Sequence, residues 1–177
     1  MQKKSPDDYY RPAEDTFFLA DYIRGERGHA ALDIGTGSGF LANVLSHNFE
    51  FVVSTDISPA ALKKAHESVP NCICCNSADA INYAFDLVVC NLPYLPSEEI
   101  KDRAVDGLRE GLVVTTAILK SASKAIRKNG KLIYLTSSLA NYPELVRRTA
   151  GMGFEAKLAS RRKMFFEELV IVECVKT

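Results

Sequence analysis

The order of apolar segments constrains the fold of this chain more than any other feature. Short runs rich in β-branched residues alternate with longer amphipathic stretches, which predicts strands separated by helices. The predicted strands are 30–34, 51–55, 72–75, 87–90, 131–136, 155–159 and 168–174. The predicted helices are 14–24, 39–47, 59–68, 113–127 and 142–152. Parallel strands need crossover connections of this length, so most of the sheet should be parallel.

The last two predicted strands differ from the others. Only residues 160–166 separate them, which is too short for a crossover helix, so they should pair as an antiparallel hairpin. Asn129-Gly130 is expected to end the fourth helix, because both residues tolerate a left-handed C-cap. We therefore expect one α/β domain over residues 1–177, with a seven-stranded, mainly parallel sheet and helices on both faces.

Charge and cysteine content narrow the functional classes. Lys+Arg and Asp+Glu number 22 each, so net charge offers no support for a sequence-independent grip on nucleic-acid backbones. The five cysteines are an odd number set in apolar segments and offer no two spaced ligand pairs of the kind a zinc site uses; we interpret them as core thiols, with no metal site. No apolar run approaches the roughly 20 residues that span a bilayer, and the polar N-terminus is unlike a signal peptide. These features predict a cytoplasmic protein.

Residues 32–39, Leu-Asp-Ile-Gly-Thr-Gly-Ser-Gly, follow the first strand and open a helix. Glycines there let the chain turn tightly and let its backbone approach a ligand, although an ordinary βα turn can look alike. The G-x-G-x-G spacing differs from that of dinucleotide-binding proteins and suits S-adenosylmethionine, which has no pyrophosphate. We predict that Asp33 orients the ammonium group of that cofactor. The predicted loop contacts are Gly35, Thr36, Gly37 and Gly39.

Two acidic residues follow the next two strands, at positions suited to the nucleoside part of the cofactor. Asp56 ends the second strand and can accept hydrogen bonds from both ribose hydroxyls. Asp79 follows the third strand and can accept from the adenine amino group; a solvated loop acid is the alternative. Ile57 and Ala80, which follow these acids directly, complete the predicted cofactor contacts on this side.

Residues 91–94, Asn-Leu-Pro-Tyr, follow the fourth strand at the carboxyl edge of the predicted sheet, where open α/β sheets bind ligands. They resemble the (Asn/Asp)-Pro-Pro-(Tyr/Phe) motif of methyltransferases that modify planar exocyclic nitrogens. These are adenine N6 enzymes and HemK-like glutamine N5 enzymes. The lone pair of such a nitrogen is delocalised, so acceptors on its hydrogens would favour pyramidalisation and direct the lone pair toward the methyl group.

Each residue of this motif has a predicted role. The Asn91 side-chain oxygen and the Leu92 carbonyl would be the two acceptors, Asn91 would also contact the cofactor, and Tyr94 would stack on the planar group. Leu92 replaces the usual proline, but Pro93 still restricts Leu92 to extended conformations. The sequence Asn-Leu-Pro-Tyr also resembles the corresponding motif of the rRNA adenine dimethyltransferases. The motif therefore leaves open whether the substrate is a protein or a nucleic acid.

The N-terminal segment distinguishes between these families. Residues 10–19 resemble the Pro-(Ala/Ser)-(Glu/Asp)-Asp-Thr-Phe-Leu-Leu signature of the archaeal and eukaryotic HemK-like branch, with Arg11 in place of a usual Glu. The resemblance implies that residues 1–26 close over the cofactor, with Thr16 near its methionine end. A capped amphipathic helix would also explain the segment. Residues 106–111 resemble a glycine-rich, Arg-containing loop that follows the motif in this family.

The resemblance covers nearly the whole chain and implies a Rossmann-like class I methyltransferase. It implies methyl transfer to the glutamine N5 in the Gly-Gly-Gln tip of a class I translation release factor. It also implies a small zinc-binding activator that pairs with an edge strand. Strand 72–75 is apolar and contains no protective Lys or Pro, so an exposed edge there could recruit another chain; loops of this chain could equally cover it.

Three other functions remain open. A nucleic-acid adenine N6-methyltransferase would use the cationic residues 161–163 with Met164-Phe165-Phe166, between the last two strands. A lysine methyltransferase would gain nothing from the two acceptors at Asn91 and Leu92. Lysine attacks as a deprotonated amine, whose lone pair is not delocalised. A non-catalytic binding protein would be expected to have lost the glycines or Asn91, and both are present.

Overall fold

The computed structural model describes residues 10–94 and 104–177, with only the backbone given for 104–110. The helices are α1 (Glu14–Ile23), α2 (Phe40–Leu45), α3 (Pro59–Ala65), α4 (Ala104–Lys124) and α5 (Tyr142–Ala150). The strands are β1 (Gly28–Ile34), β2 (Phe49–Asp56), β3 (Cys72–Cys74), β4 (Phe85–Asn91), β5 (Ile126–Ser137), β6 (Phe154–Lys163) and β7 (Glu168–Lys176).

The strands form a seven-stranded sheet in the order β3-β2-β1-β4-β5-β7-β6. The pairs from β3 to β5 are parallel, while β7 runs antiparallel to both β5 and β6. This confirms the predicted mainly parallel sheet and its terminal hairpin. Because the order reverses beside β1 and β4, the loops after these two strands diverge and leave a crevice at the carboxyl edge.

Two apolar clusters cover the two faces of the sheet. Alternate strand residues such as Leu32 and Val88 pack under α4 and α5, whereas their neighbours Ala31 and Val89 pack under α1 and α2. Since both faces of the sheet are buried at its centre, β1 and β4 contain continuous apolar runs rather than alternating ones. The helices on both faces confirm that part of the predicted architecture.

The fourth helix differs from its prediction at both ends. It begins at Ala104, so residues 106–111, expected as a loop, are helical, and it ends at Lys124. Asn129 does adopt a left-handed φ of 61°, but it does so inside β5, where the register against β4 shifts. The Asn-Gly pair therefore marks a bulge in a strand. Its left-handed preference is the same at a bulge and at a helix end, which is why the prediction was wrong.

The terminal hairpin is longer than predicted, because β6 continues to Lys163 and pairs there with Glu168. The cationic residues 161–163 thus lie on a strand rather than in a loop. The interpretation of all five cysteines as core thiols was also wrong in part: Cys90 and Cys174 are buried, but Cys74 is exposed on β3. None of the helices within the described residues is long and apolar enough to cross a membrane.

Candidate functional site

A cavity of about 530 Å³ opens at the carboxyl edge of the sheet, between the ends of β1, β2 and β4 and the helix α4. This volume lies within the usual range of small-molecule sites. The cavity brings together six of the residues predicted from sequence: Gly35, Asp56, Ile57, Asp79, Asn91 and Pro93. Because the carboxyl ends of parallel strands meet at one edge, residues distant in sequence converge there.

The glycine loop is held against the end of β2. Gly35 and Gly37 have left-handed φ values of 70° and 54°, which favour glycine. The backbone N–H groups of Gly35 and Thr36 donate to the Thr55 carbonyl at 2.8 and 3.0 Å. An added Cβ at Gly39 would lie 2.9 Å from the Ala65 Cα, so only glycine permits this approach of the loop to α3.

Asp33 lies behind the glycine loop and is fully buried. Its Oδ2 accepts hydrogen bonds from the Thr36 hydroxyl at 2.6 Å and from the Ala42 N–H at 3.2 Å, which braces the loop and the start of α2. Its Oδ1 is buried and has no partner among the described residues. Asp33 does not itself line the cavity, so an ammonium contact through this oxygen stays a prediction.

Asp56 connects the glycine loop with the end of β2. Its Oδ2 accepts from the Gly37 N–H at 2.9 Å and its Oδ1 accepts from the Ser58 N–H at 2.8 Å. Each carboxylate oxygen has a second acceptor position, so Asp56 can still receive two hydroxyl donors from the cavity. Ile57, which is 73% exposed, lines the same part of the cavity.

Asp79 fixes the loop after β3 to α4. Its Oδ1 accepts from the Ser121 hydroxyl at 2.6 Å, and the Ser121 oxygen accepts from the Ala78 N–H at 3.1 Å. Sequence reasoning missed Ser121, since a serine within an amphipathic helix gives no signal of its own. Ala80 is exposed and does not line the cavity, so the structure does not bring it to the other predicted residues.

Asn91 stands at the end of β4 and lines the cavity. Its Nδ2 donates to the Asp15 Oδ2 at 3.0 Å, while its Oδ1 is buried and has no partner among the described residues. The next residue, Leu92, is anchored by its buried side chain and by an N–H bond to the Leu135 carbonyl at 3.1 Å. Half-buried Tyr94 donates its hydroxyl toward the Asp15 Oδ2 at 3.4 Å.

Asp15 is the second residue of this site that the sequence analysis missed. Its side chain is 6% exposed and also accepts from the Tyr10 hydroxyl, at 2.8 Å from Oδ1 and 2.7 Å from Oδ2, and from the Thr16 N–H at 2.6 Å. The buried Thr16 hydroxyl lies 3.2 Å from the same carboxylate, and Thr16 does not line the cavity. The N-terminal signature contains Asp15, but nothing in that local pattern indicated its contact with Asn91.

The methyltransferase small domain family matches residues 13–163 of the chain. The chain belongs to this family.

Curated relatives and solved structures agree with the family. A putative protein N5-glutamine methyltransferase of Methanocaldococcus jannaschii is 27% identical over 92% of this chain and 89% of the relative. Methyltransferase HEMK2 of Mus musculus is 29% identical over 80% of this chain and 77% of the relative. The E. cuniculi Mtq2–Trm112 complex, described as methylating the eRF1 termination factor, matches with a TM-score of 0.78 and 27% identity, over 96% of this chain and 99% of the matched chain.

These matches confirm that the chain is a HemK-like class I methyltransferase and that its cofactor is S-adenosylmethionine. Three carboxylates near the carboxyl edge of the sheet fit that cofactor. Asp56 and Asp79 present carboxylates from an otherwise largely apolar cavity, which suits the ribose hydroxyls and the adenine amino group. The unpaired Asp33 Oδ1 suits an ammonium group.

The Asp33 carboxyl gives the cofactor affinity of this methyltransferase a predicted pH dependence. Burial raises the pKa of Asp33 to about 6, so the carboxyl is neutral below that pH and ionised above it. Only the ionised form attracts an ammonium group, so the affinity for S-adenosylmethionine should rise about tenfold between roughly pH 5 and 7. Calorimetric titration at several pH values measures this directly.

Asp33→Asn is the matched variant for this titration, because it keeps the size and the acceptor oxygen but cannot ionise. Its cofactor affinity should be nearly constant over the same pH range. An equal pH dependence in both proteins would show that another group causes it.

Proposed function

We propose that this protein methylates the side-chain amide nitrogen (N5) of the glutamine in the Gly-Gly-Gln motif of a class I translation release factor. The observation that carries the proposal is that Asn91 lines the cavity while its buried Oδ1 has no partner among the described residues. Leaving a buried acceptor unpaired is costly, so a donor supplied by a ligand is expected there. A planar NH2 group is such a donor.

The residues after β4 would hold the substrate nitrogen. S-adenosylmethionine, when bound, supplies an electrophilic methyl group. Asn91 Oδ1 would accept one hydrogen of the NH2 group and the Leu92 carbonyl the other, which turns the nitrogen lone pair out of conjugation and fixes its direction. Tyr94 would pack against the plane of the amide. Fixed acceptors of this kind need no reorganisation during reaction, which is the main source of their catalytic effect.

The charge distribution on the terminal hairpin supports a protein substrate over a nucleic acid. Of the cationic residues on β6, Arg161 lies 3.4 Å from Glu168, and Arg162 lies 3.7 Å from Asp21 and over the Phe18 ring. Acidic neighbours weaken the attraction of these cations for phosphate groups. The named functions of the glutamine methyltransferase relatives point the same way.

A nucleic-acid adenine N6-methyltransferase is the second candidate. The Asn91 acceptor would suit an adenine NH2 group as well as an amide. Phe165 and Phe166, which are 91% and 86% exposed at the tip of the hairpin, form an aromatic pair on which bases could stack. This pair is the observation that favours nucleic acid.

Methyl transfer from labelled S-adenosylmethionine to several substrates, offered side by side, tests the proposal. The substrates are the cognate release factor, the same factor with its Gly-Gly-Gln glutamine substituted, and bulk tRNA and rRNA. Label should enter only the unsubstituted release factor. Asn91→Ala should lower kcat at least about 100-fold because one acceptor is lost, while cofactor affinity changes little. Asn43→Ala, an exposed position on α2, is the control and should retain activity.

Label in RNA instead would overturn the release-factor proposal and favour the adenine enzymes. Equal loss of activity and of cofactor affinity in Asn91→Ala would mean that Asn91 acts only as a structural residue.

We also propose that a small zinc-binding activator adds a strand next to β3. Support comes from the position of β3 at the edge of the sheet and from the Trm112 partner of the Mtq2 neighbour. On β3 the Asn71 carbonyl and the Cys75 N–H bond to β2, so the N–H and carbonyl of Cys74 point away from the sheet, since successive peptide groups alternate. These outward groups are what an added strand would pair with.

Cys74→Pro tests this pairing, because proline removes the outward N–H and leaves the bonds to β2 in place. The partner in this test is the Trm112-like protein from the organism that supplies this chain. We expect its affinity for Cys74→Pro to be lower by about tenfold or more, because one main-chain hydrogen bond is lost and the proline ring blocks the approach of the added strand. Cys74→Ala keeps the N–H and should bind normally. Equal binding of the two variants, measured by calorimetry, would move the interface elsewhere.

A further inference from the structure

The orientation of the Asn91 carboxamide depends on one neighbouring residue. An asparagine side chain is nearly symmetric in shape, with an acceptor oxygen on one arm and a donor NH2 on the other. The site needs the oxygen to face the substrate, because a substrate NH2 group cannot bond to another NH2 group. Something in the protein must therefore select between the two orientations.

We infer that Asp15 is a positioning residue that holds the Asn91 carboxamide with its oxygen toward the substrate nitrogen. The inference rests on the proposed methylation of a planar NH2 group. The decisive contact is the 3.0 Å hydrogen bond from Asn91 Nδ2 to Asp15 Oδ2. An ionised carboxylate has no donor, so it accepts from Nδ2 and repels Oδ1. The reversed carboxamide would place two acceptors against each other in a buried position.

Asp15 is itself firmly held. The Thr16 N–H donates to its Oδ1 at 2.6 Å, and the Tyr10 hydroxyl donates to the carboxylate at 2.7–2.8 Å from its two oxygens. Burial and the nearby Asp15 carboxylate raise the pKa values of Tyr10 and Tyr94, so both hydroxyls remain protonated donors. These donors leave the Asp15 carboxylate little freedom to turn away from Asn91.

Asp15 also connects Asn91 to the cofactor side of the cavity. Tyr10 lies over the glycine loop, where an added Cβ at Gly37 would be 3.0 Å from the Tyr10 backbone oxygen. One carboxylate therefore joins the segment over the glycine loop to the acceptor for the substrate. Asp15 does not line the cavity, so it acts on the substrate through the side chains that it contacts, and of these Asn91 lines the cavity.

Asp15→Asn is the variant that tests this role, because it keeps the size of the side chain but replaces one acceptor by a donor. The Thr16 N–H holds the remaining oxygen at the Oδ1 position, so the new NH2 group takes the place of Oδ2 and favours the reversed Asn91 carboxamide, which offers the substrate no acceptor. We expect kcat to fall about 10- to 100-fold, the range of a hydrogen bond to a charged group, with KM, cofactor affinity and Tm nearly unchanged. Asp21→Asn is the control, since Asp21 lies on the exposed side of the same helix.

A spectroscopic measurement on the wild-type protein tests the same contact without any substrate. A scalar coupling across the hydrogen bond between the Asn91 side-chain nitrogen and the Asp15 carboxyl carbon should be detectable by NMR in labelled protein. It should disappear in Asn91→Ala and persist in Asp21→Asn. Absence of the coupling in the wild type would overturn the inference even if Asp15→Asn failed to fold.

The two proposals fail in different ways. If wild-type protein methylates RNA and not the release factor, the proposed substrate is wrong, and the Asp15 variants are then compared on RNA. If Asp15→Asn retains full kcat on whichever substrate the wild type methylates, the positioning role is wrong. A parallel fall in kcat, cofactor affinity and Tm would also overturn it, because that pattern belongs to a purely structural residue.

Discussion

The hydrogen bond between Asp15 and Asn91 is the interaction on which the rest of the site depends. It joins the first helix to the end of β4, two elements that lie far apart in sequence and contain different parts of the proposed chemistry. Through the Tyr10 hydroxyl the same carboxylate reaches the segment that lies over the glycine loop. The cofactor loop and the substrate acceptor are thus parts of one hydrogen-bonded network rather than two independent sites.

The parallel sheet makes this network possible. Its strands deliver Asp33, Asp56 and Asn91 to a single edge, each from the end of a different strand. Backbone N–H groups of the glycine loop then use the Asp56 carboxylate and the Thr55 carbonyl of β2 as acceptors, so the loop is held before any ligand arrives. A site held in this way loses little conformational entropy on binding, which is the general advantage of preorganisation.

Much of this arrangement could be predicted from sequence because it depends on local signals. The succession of strands and helices along the chain, the glycine loop and the positions of Asp56 and Asn91 follow from periodicity and from residues at strand ends. Asp15 and Ser121 could not be assigned, because their roles come from contacts across the fold that no local pattern encodes. The predicted C-terminal end of the fourth helix was wrong because Asn129 has the same left-handed preference at a strand bulge as at a helix end.

The most direct test of the account is a crystal structure with S-adenosylhomocysteine and a peptide that contains the Gly-Gly-Gln motif. The distances to measure join the glutamine side-chain nitrogen to Asn91 Oδ1 and to the Leu92 carbonyl oxygen. The account predicts hydrogen-bond distances of about 2.7–3.2 Å for both, with Asn91 Nδ2 still bonded to Asp15. A glutamine nitrogen bound elsewhere, or an Asn91 carboxamide turned with its oxygen toward Asp15, would contradict it.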